Sequence, residues 1–166
     1  MSEPPRLRTA ARVVVLDPDG RVLLFGSRLV DLETPPGPVL YWYTPGGQTE
    51  PGESARVTAT RELAEEIGLV VDPGALEGPV WLRRVVAPLL GELYDHRETY
   101  FVLRDVVHEV DVSGQTELEA FEDQPWRWWS GTELSASSES FAPRELAAVL
   151  PALLEGPWTG PPRIVD

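Results

Sequence analysis

The sequence predicts a mixed α/β fold, and three observations support this prediction. The first is a set of β-branched and aliphatic runs typical of strands, at residues 9–16, 21–25, 80–90 and 98–104. The second is a segment without Pro or Gly, residues 54–67, whose Ala and Glu content predicts a helix. The third is residues 140–154, where Leu and Val recur at helical spacing. We therefore expect strands on both sides of one helix and a second helix that closes the fold.

Length and composition exclude several classes of protein. The chain has 166 residues, which fits a single domain. Its 27 acidic residues against 14 basic ones give a net charge of −13, so neither a nucleic acid polymer nor a membrane is an expected partner. It contains no cysteine, which excludes disulfides and thiolate catalysis. Because the first residues lack the apolar run of a signal peptide, we expect a cytoplasmic protein.

The first two strands carry two candidate substrate-binding arginines. Residues 1–8 are expected to be loose, and the Asp-Pro-Asp-Gly run at residues 17–20 predicts a hairpin between the strands. Arg12 belongs to the first strand and Arg28 follows the second. In so acidic a protein, each arginine is a candidate for holding a substrate phosphate, and an ordinary surface position is the alternative.

A short aromatic strand leads into a glycine-rich loop. Residues 31–40 hold three prolines and predict a loop, and Tyr-Trp-Tyr-Thr at residues 41–44 then predicts a strand. This strand runs directly into Pro-Gly-Gly at residues 45–47, a composition that permits close backbone approach to a ligand. Trp42 is a candidate for stacking on a base, with core packing as the alternative.

The helix at residues 54–67 gathers three carboxylates on one face. Glu62, Glu65 and Glu66 stand at positions i, i+3 and i+4, so their side chains are neighbours and repel one another. The adjacent stripe of Ala59, Leu63 and Ile67 predicts the buried face. No lysine interleaves the carboxylates, and hard divalent cations such as Mg²⁺ bind oxygen ligands of this kind. The alternative is an ordinary solvated helix face.

The spacing of this segment resembles the Nudix hydrolase box from Gly47 to Leu69. The pattern is Gly, five residues, Glu, seven residues, Arg-Glu-aliphatic, one residue, Glu-Glu, one residue and Gly-aliphatic. The chain matches every defined position of it, at Gly47, Glu53, Arg61, Glu62, Leu63, Glu65, Glu66, Gly68 and Leu69. The resemblance implies an α/β/α sandwich with a mixed central sheet, which we expect to span residues 9–154.

The resemblance also assigns roles within the box. It implies a cofactor, Mg²⁺ or alternatively Mn²⁺, held by Glu62, Glu65 and Glu66 with the Gly47 carbonyl as a further ligand. It implies that Glu53 and Arg61 brace the loop against the helix, since the guanidinium fork matches a carboxylate. The glutamates would serve catalysis through the metal.

Two further strands follow the helix. Residues 80–90 and 98–104 predict an antiparallel pair, in which Tyr100 and Val102 share one face while Phe101 and Leu103 share the other. Arg84 is a further candidate for substrate binding. The family's marks for ADP-ribose or diadenosine polyphosphate specificity are missing at this point of the chain.

The last quarter offers one more catalytic candidate. In many Nudix enzymes a loop before a tryptophan-rich strand supplies a glutamate, and the match here is Glu122, ahead of Trp126. It would be a metal ligand or general base; Glu119 and a purely solvated loop are the alternatives. Residues 155–166 contain three prolines and predict an extended tail.

The resemblance implies a metal-dependent pyrophosphohydrolase that cleaves a diphosphate linkage in a nucleotide. Its substrate would be a nucleoside triphosphate or a nucleoside diphosphate linked to another group. The alternative is a catalytically idle Nudix-like domain that binds or senses a nucleotide. A homodimer is compatible with the family.

Overall fold

The computed structural model describes residues 3–28, 38–89, 91–114 and 124–166. The strands are β1 (Arg6–Val15), β2 (Val22–Arg28), β3 (Val39–Tyr43), β4 (Gly46–Gln48), β5 (Glu77–Leu89), β6 (Glu92–Leu103), β7 (Trp126–Trp129), β8 (Phe141–Ala142) and β9 (Arg163–Val165). The helices are α1 (Ala55–Ile67), α2 (Gly131–Ala136) and α3 (Leu146–Leu154). No helix in these described ranges is both long and apolar enough to cross a membrane.

The strands divide between two sheets of mixed direction. The first has the order β4-β1-β6-β5-β9, with β1 parallel to β6 and antiparallel to β4. The second has the order β7-β2-β3-β8, in which β8 runs parallel to β3. The predicted antiparallel pair is confirmed as β5 and β6. The mixed α/β class is therefore confirmed, with mixed sheets and few helices.

The five-stranded sheet separates two hydrophobic cores. Tyr100 and Val102 of β6 pack in the core that also contains α3, whereas Phe101 and Leu103 pack in the core that contains α1. This alternation confirms the predicted faces of the strand, because successive side chains point to opposite sides of a sheet. A change of one residue along β1 or β6 thus moves a side chain from one core to the other.

Helix α1 begins and ends as its sequence predicts. The Ser54 side chain accepts a hydrogen bond from the Val57 N–H at 3.3 Å, which caps the first turn. Gly68 ends the helix with a φ of 70°, a conformation that glycine adopts without strain. The predicted apolar stripe is fully buried, and the adjacent face of the helix carries Glu62 and Glu66 toward the loop at the sheet edge.

The predicted hairpin between the first two strands forms only at its tip. The Gly20 N–H donates to the Asp17 carbonyl at 3.0 Å, and a single bridge joins Leu16 to Val22. Beyond the bridge, β1 joins the five-stranded sheet and β2 joins the four-stranded one. The two strands diverge because each has longer partners elsewhere, β6 for β1 and β3 and β7 for β2.

Three element boundaries differ from the sequence prediction because of pairing between distant segments. Strand β1 begins at Arg6 rather than at residue 9, since its backbone pairs with β6 from Tyr94 onward. Helix α3 begins at Leu146 rather than at residue 140, since β8 pairs with β3 first. The expected extended tail contains β9, which is paired in parallel with β5.

Candidate active site

A cleft of about 930 Å³ opens at the side of the five-stranded sheet that faces β3 and β8. Its walls bring together the glycine-rich loop, two of the α1 glutamates and the polar side chains of β1 and β6. The lining of the cleft includes Arg12, Gly46, Gly47, Glu62, Glu66 and Glu98. Acidic groups of α1 therefore meet the loop at the wall of a cavity.

Two glutamates of α1 are fitted against the two glycines. Glu66 is buried, and its Oε2 accepts a hydrogen bond from the Gly46 N–H at 2.9 Å. The Glu62 carboxylate lies so close to Gly47 that a Cβ atom on this residue would overlap it. A side chain at position 47 would therefore displace the Glu62 carboxylate from its place beside the loop.

Arg61 is the centre of an ion-pair cluster that joins the loop to α1. Its Nε and Nη2 bind the two oxygens of Glu53 at 2.8 and 2.9 Å, and its Nη2 also donates to the Gln48 carbonyl at 3.0 Å. Its Nη1 reaches Glu62 at 3.0 Å and Glu65 at 3.3 Å. The hydrogen bonds from Arg61, followed by one from the Glu50 backbone, lower the pKa of Glu53 to about 2. The guanidinium thus holds both ends of the loop-to-helix connection.

The donor set suits a hard divalent cation, although the carboxylates turn to different protein partners. All the candidate groups offer oxygen, the ligand that Mg²⁺ and Mn²⁺ prefer. Glu65 is half exposed, does not line the cleft and is turned toward Arg61. Within the described residues, no three acidic or histidine side chains converge closely enough to hold a metal ion. Glu122, like its alternative Glu119, lies outside the described residues.

A second charged cluster fills the floor of the cleft. Glu98 accepts hydrogen bonds from Arg12 at 3.2 Å, Arg83 at 3.0 Å and the Tyr100 hydroxyl at 2.8 Å. Burial raises the pKa of Glu98, but the field of Arg12 and the hydrogen bond from Tyr100 outweigh it, and the net pKa is lowered. Burial raises the pKa of the Tyr100 phenol further above its usual range, and the Glu98 charge adds to this. Glu98 is therefore charged at neutral pH.

Of the four predicted substrate-binding residues, the structure places only Arg12 in the cleft. Trp42 is buried in the core, where it packs edge-on against Trp129 at 5.2 Å between ring centroids. Arg28 lies at the end of β2 and does not line the cleft. Arg84 points to the opposite face of the sheet, toward a second cavity of about 490 Å³, and binds Asp95 at 2.7 Å.

The alternation of side chains along the strands explains why Trp42 and Arg84 lie outside the cleft. It also identifies the neighbouring residues that line the cleft instead. In β3, Trp42 faces the core while its neighbours Tyr41 and Tyr43 line the cleft. In β5, Arg83 lines the cleft beside Glu98, whereas Arg84 faces away. Glu98 lies two residues before Tyr100 on the same face of β6, and the pairing of β5 with β6 sets Arg83 opposite Glu98 on that face.

Comparison with known proteins assigns the family. The family model described as the NUDIX domain matches residues 6–151. The chain is 30% identical over 129 residues to the RNA pyrophosphohydrolase of Dinoroseobacter shibae, covering 73% of this chain and 75% of that protein. A Caulobacter vibrioides protein of the same name is 33% identical over 133 residues, covering 75% and 72%. A Mycobacterium tuberculosis protein with the provisional name 8-oxo-dGTP diphosphatase 2 is 39% identical over 83 residues, covering 42% and 59%.

Solved structures show the same fold. The MutT protein from Methanosarcina mazei Go1 superposes with a TM-score of 0.60 at 19% identity, covering 93% of this chain and 100% of that one. The dihydroneopterin triphosphate pyrophosphohydrolase of E. coli gives a TM-score of 0.60 at 18% identity, covering 89% and 94%. At these identities the likeness concerns the architecture alone.

Proposed function

The chain belongs to the Nudix family, and from that membership we propose that it is a divalent-metal-dependent pyrophosphohydrolase that cleaves a diphosphate linkage in a nucleotide. One observation carries the proposal. Glu62 and Glu66 stand beside Gly46 and Gly47 in the wall of a cleft of about 930 Å³, large enough for a nucleotide. The family makes the chain a hydrolase of phosphorus-containing acid anhydrides; the metal, the substrate and the residue roles are our proposal.

The metal site would be built from the box. Glu62, Glu65, Glu66 and the Gly47 carbonyl would hold Mg²⁺ or Mn²⁺, with Glu122 as a further ligand or as the general base. Bound there, the ions would neutralise diphosphate oxygens and acidify a water molecule. Such neutralisation is needed because an anionic substrate approaches a chain whose net charge is −13.

The protein's own residues would orient the nucleotide. Arg61 would keep Glu62 and Glu65 in place, since it already binds both carboxylates. Arg8 is a half-buried cleft residue that, in the described part of the chain, makes no ion pair, so it is suited to a phosphate. Tyr41 is 41% exposed at the cleft and stands 5.8 Å from Tyr43 between ring centroids, a surface on which a base can stack.

A nucleotide screen tests this function. Nucleoside triphosphates and nucleoside diphosphates linked to sugars would be incubated with Mg²⁺ or Mn²⁺, and the released phosphate species identified. We expect nucleoside monophosphate to appear with the wild-type protein and to fall to background with Glu66→Gln. Glu155→Gln is the matched control, because Glu155 is exposed at the end of α3. Tight nucleotide binding by calorimetry without turnover would favour the idle sensor instead.

A second candidate substrate follows from the relatives. The Dinoroseobacter and Caulobacter proteins carry the name RNA pyrophosphohydrolase, and the chain covers about three quarters of each. An RNA bearing a 5′-triphosphate would place the same diphosphate linkage in the cleft. The acidic surface disfavours the rest of such a polymer. Adding a 5′-triphosphorylated oligonucleotide to the screen separates the two, because the preferred substrate has the higher kcat/KM.

A further inference from the structure

The side chain of Arg12 is directed at the backbone of the glycine-rich loop. Its Nη1 donates to the Gly46 carbonyl at 3.0 Å and approaches the Thr44 carbonyl at 3.5 Å. The same peptide segment presents the Gly46 N–H to Glu66 at 2.9 Å. Gly46 is thus held from two sides, by a cation at its carbonyl and by a carboxylate at its amide.

The backbone of Gly46 has little freedom to move between these partners. Gly46 and Arg12 are directly opposite each other in the β1–β4 pair, and Gly46 has a φ of 145°, which only glycine adopts readily. A Cβ atom there would overlap the Ala11 carbonyl oxygen and lie 2.7 Å from the Arg12 Cα. The loop therefore depends on β1 for its position.

Arg12 is itself fixed by a buried partner. Its Nε donates to Glu98 at 3.2 Å, and both side chains are largely shielded from solvent. Glu98 is in turn held by Arg83 and Tyr100, and the Arg12 guanidinium lies 5.5 Å from the centroid of the Tyr43 ring. A guanidinium surrounded in this way is committed to the protein rather than available to a substrate.

We infer that Arg12 is a positioning residue. Glu98 fixes the Arg12 side chain, Arg12 holds the carbonyl of Gly46, and the Gly46 N–H in turn orients the Glu66 carboxylate. This inference rests on the proposed function only in that Glu66 is there a metal ligand. It replaces the expectation that Arg12 binds a substrate phosphate. Groups that orient metal ligands from behind commonly change metal affinity by about 10–100-fold when they are removed.

Manganese binding tests the inference, because a positioning role and a purely electrostatic effect of Arg12 change the Mn²⁺ affinity in opposite directions. Removing a positive charge near Glu66 would tighten cation binding if the effect were only electrostatic, whereas losing the Gly46 anchor weakens it. We expect Arg12→Met to weaken Mn²⁺ binding by about 10-fold or more by calorimetry. Arg6→Met is the control, since Arg6 lies on the same strand but pairs with exposed Glu92. Unchanged or tighter binding in Arg12→Met overturns the inference.

Two further variants complete the test. Glu98→Gln should weaken Mn²⁺ binding in the wild-type background but add nothing to Arg12→Met, because Glu98 acts through Arg12; an additive loss contradicts this order. Where Arg12→Met does not fold, Arg12→Lys keeps the charge and shortens the reach. Weaker binding by Arg12→Lys supports positioning, and unchanged binding overturns it.

Failure of the proposed function is distinguishable from failure of the inference. A wild-type protein that binds no Mn²⁺, or binds it equally well as Glu66→Gln, refutes the metal site itself. A wild-type site that Glu66→Gln abolishes and Arg12→Met leaves intact refutes only the role of Arg12. Hydrogen exchange of the Gly46 amide gives a readout without metal, and we expect faster exchange in Arg12→Met than in Arg6→Met.

Discussion

The two faces of the five-stranded sheet carry the same arrangement of charges, a carboxylate held by two arginines. We name them the cleft triad (Arg12, Arg83, Glu98) and the outer triad (Arg84, Asp95, Arg97). Each carboxylate is nearly buried in its own face. The arginine side chains differ, with exposures of 20% and 19% in the cleft triad but 64% and 57% in the outer triad.

This difference in exposure separates two roles for one chemical motif. In the cleft triad no group can be removed without leaving a charge in a poorly hydrated place. In the outer triad the two arginines are exposed, so water replaces the contacts that either of them loses. Since Arg83 and Arg84 are consecutive, the sheet's alternation alone assigns one arginine to the candidate site and the other to the surface.

The largest expected effect comes from emptying the centre of the cleft triad. Glu98→Ala leaves Arg12 and Arg83 without their shared counter-charge, and we expect it to lower the free energy of unfolding by about 3–5 kcal/mol. Urea unfolding measures the loss, with Asp95→Ala as the matched variant in the outer triad. Equal losses in the two variants would remove the distinction between the faces.

A smaller effect is expected from removing the hydroxyl of Tyr100, a neighbour of the cleft triad. The Tyr100 hydroxyl donates to Glu98 at 2.8 Å, and the ring is buried. Tyr100→Phe should cost about 1.5–3 kcal/mol of unfolding free energy, the range for a hydrogen bond to a charged group. Tyr41→Phe is the control for stability, since Tyr41 is exposed; a stability change as large there would contradict the assignment.

The pH dependence of stability tests how strongly the two arginines of the outer triad stabilise the Asp95 carboxylate. Hydrogen bonds from Arg84, and then from Arg97, lower the pKa of Asp95 to about 2. A carboxylate with a lowered folded-state pKa stabilises the protein above its unfolded pKa of about 4, and this contribution disappears as the pH falls toward 2. Thermal unfolding should be measured from about pH 5 to about pH 2, a range that contains both the unfolded and the folded pKa of Asp95. The Tm of Asp95→Asn should decline less over this range than the Tm of the wild type. Parallel curves of Tm against pH for the two proteins would show that the arginines do not stabilise the Asp95 carboxylate in the folded state.

The smallest effect is expected at the rim of the outer triad. Arg97 is largely exposed, so Arg97→Met should change the free energy of unfolding by less than about 1 kcal/mol. The same measurement in about 1 M salt should remove even this difference, because surface charges are then screened. A loss that survives high salt would place Arg97 with the cleft residues.

The box segment was predictable from the sequence because its interactions are local. Helix α1, its Ser54 and Gly68 ends and the pairing of Glu53 with Arg61 all depend on residues within a few turns of one another. The placement of Arg83 and Trp42 was not predictable in the same way. It depends on which face of each strand meets the second sheet, and that is decided by distant partners.

The same reason explains the element boundaries. Strand β1 extends back to Arg6 because this residue pairs with Tyr94 of β6. Helix α3 begins later than predicted because the residues before it form β8, which pairs with β3. Neither partner is visible from local propensity. The candidate glutamate at position 122 lies outside the described residues, so it stays a prediction.

Strand β9 has a consequence for the order of events during protein synthesis. It pairs with Trp81, Leu82 and Arg83 of β5, so the cleft arginine lies in a strand whose neighbour is made some eighty residues later. At about 5–20 residues per second, several seconds pass between the synthesis of β5 and that of β9. During this time the backbone groups on that edge of β5 lack the partner that β9 provides. The sheet is therefore expected to be complete only after residue 165 has been made, and a chain stalled before residue 163 exposes a strand edge that can pair with other nascent chains.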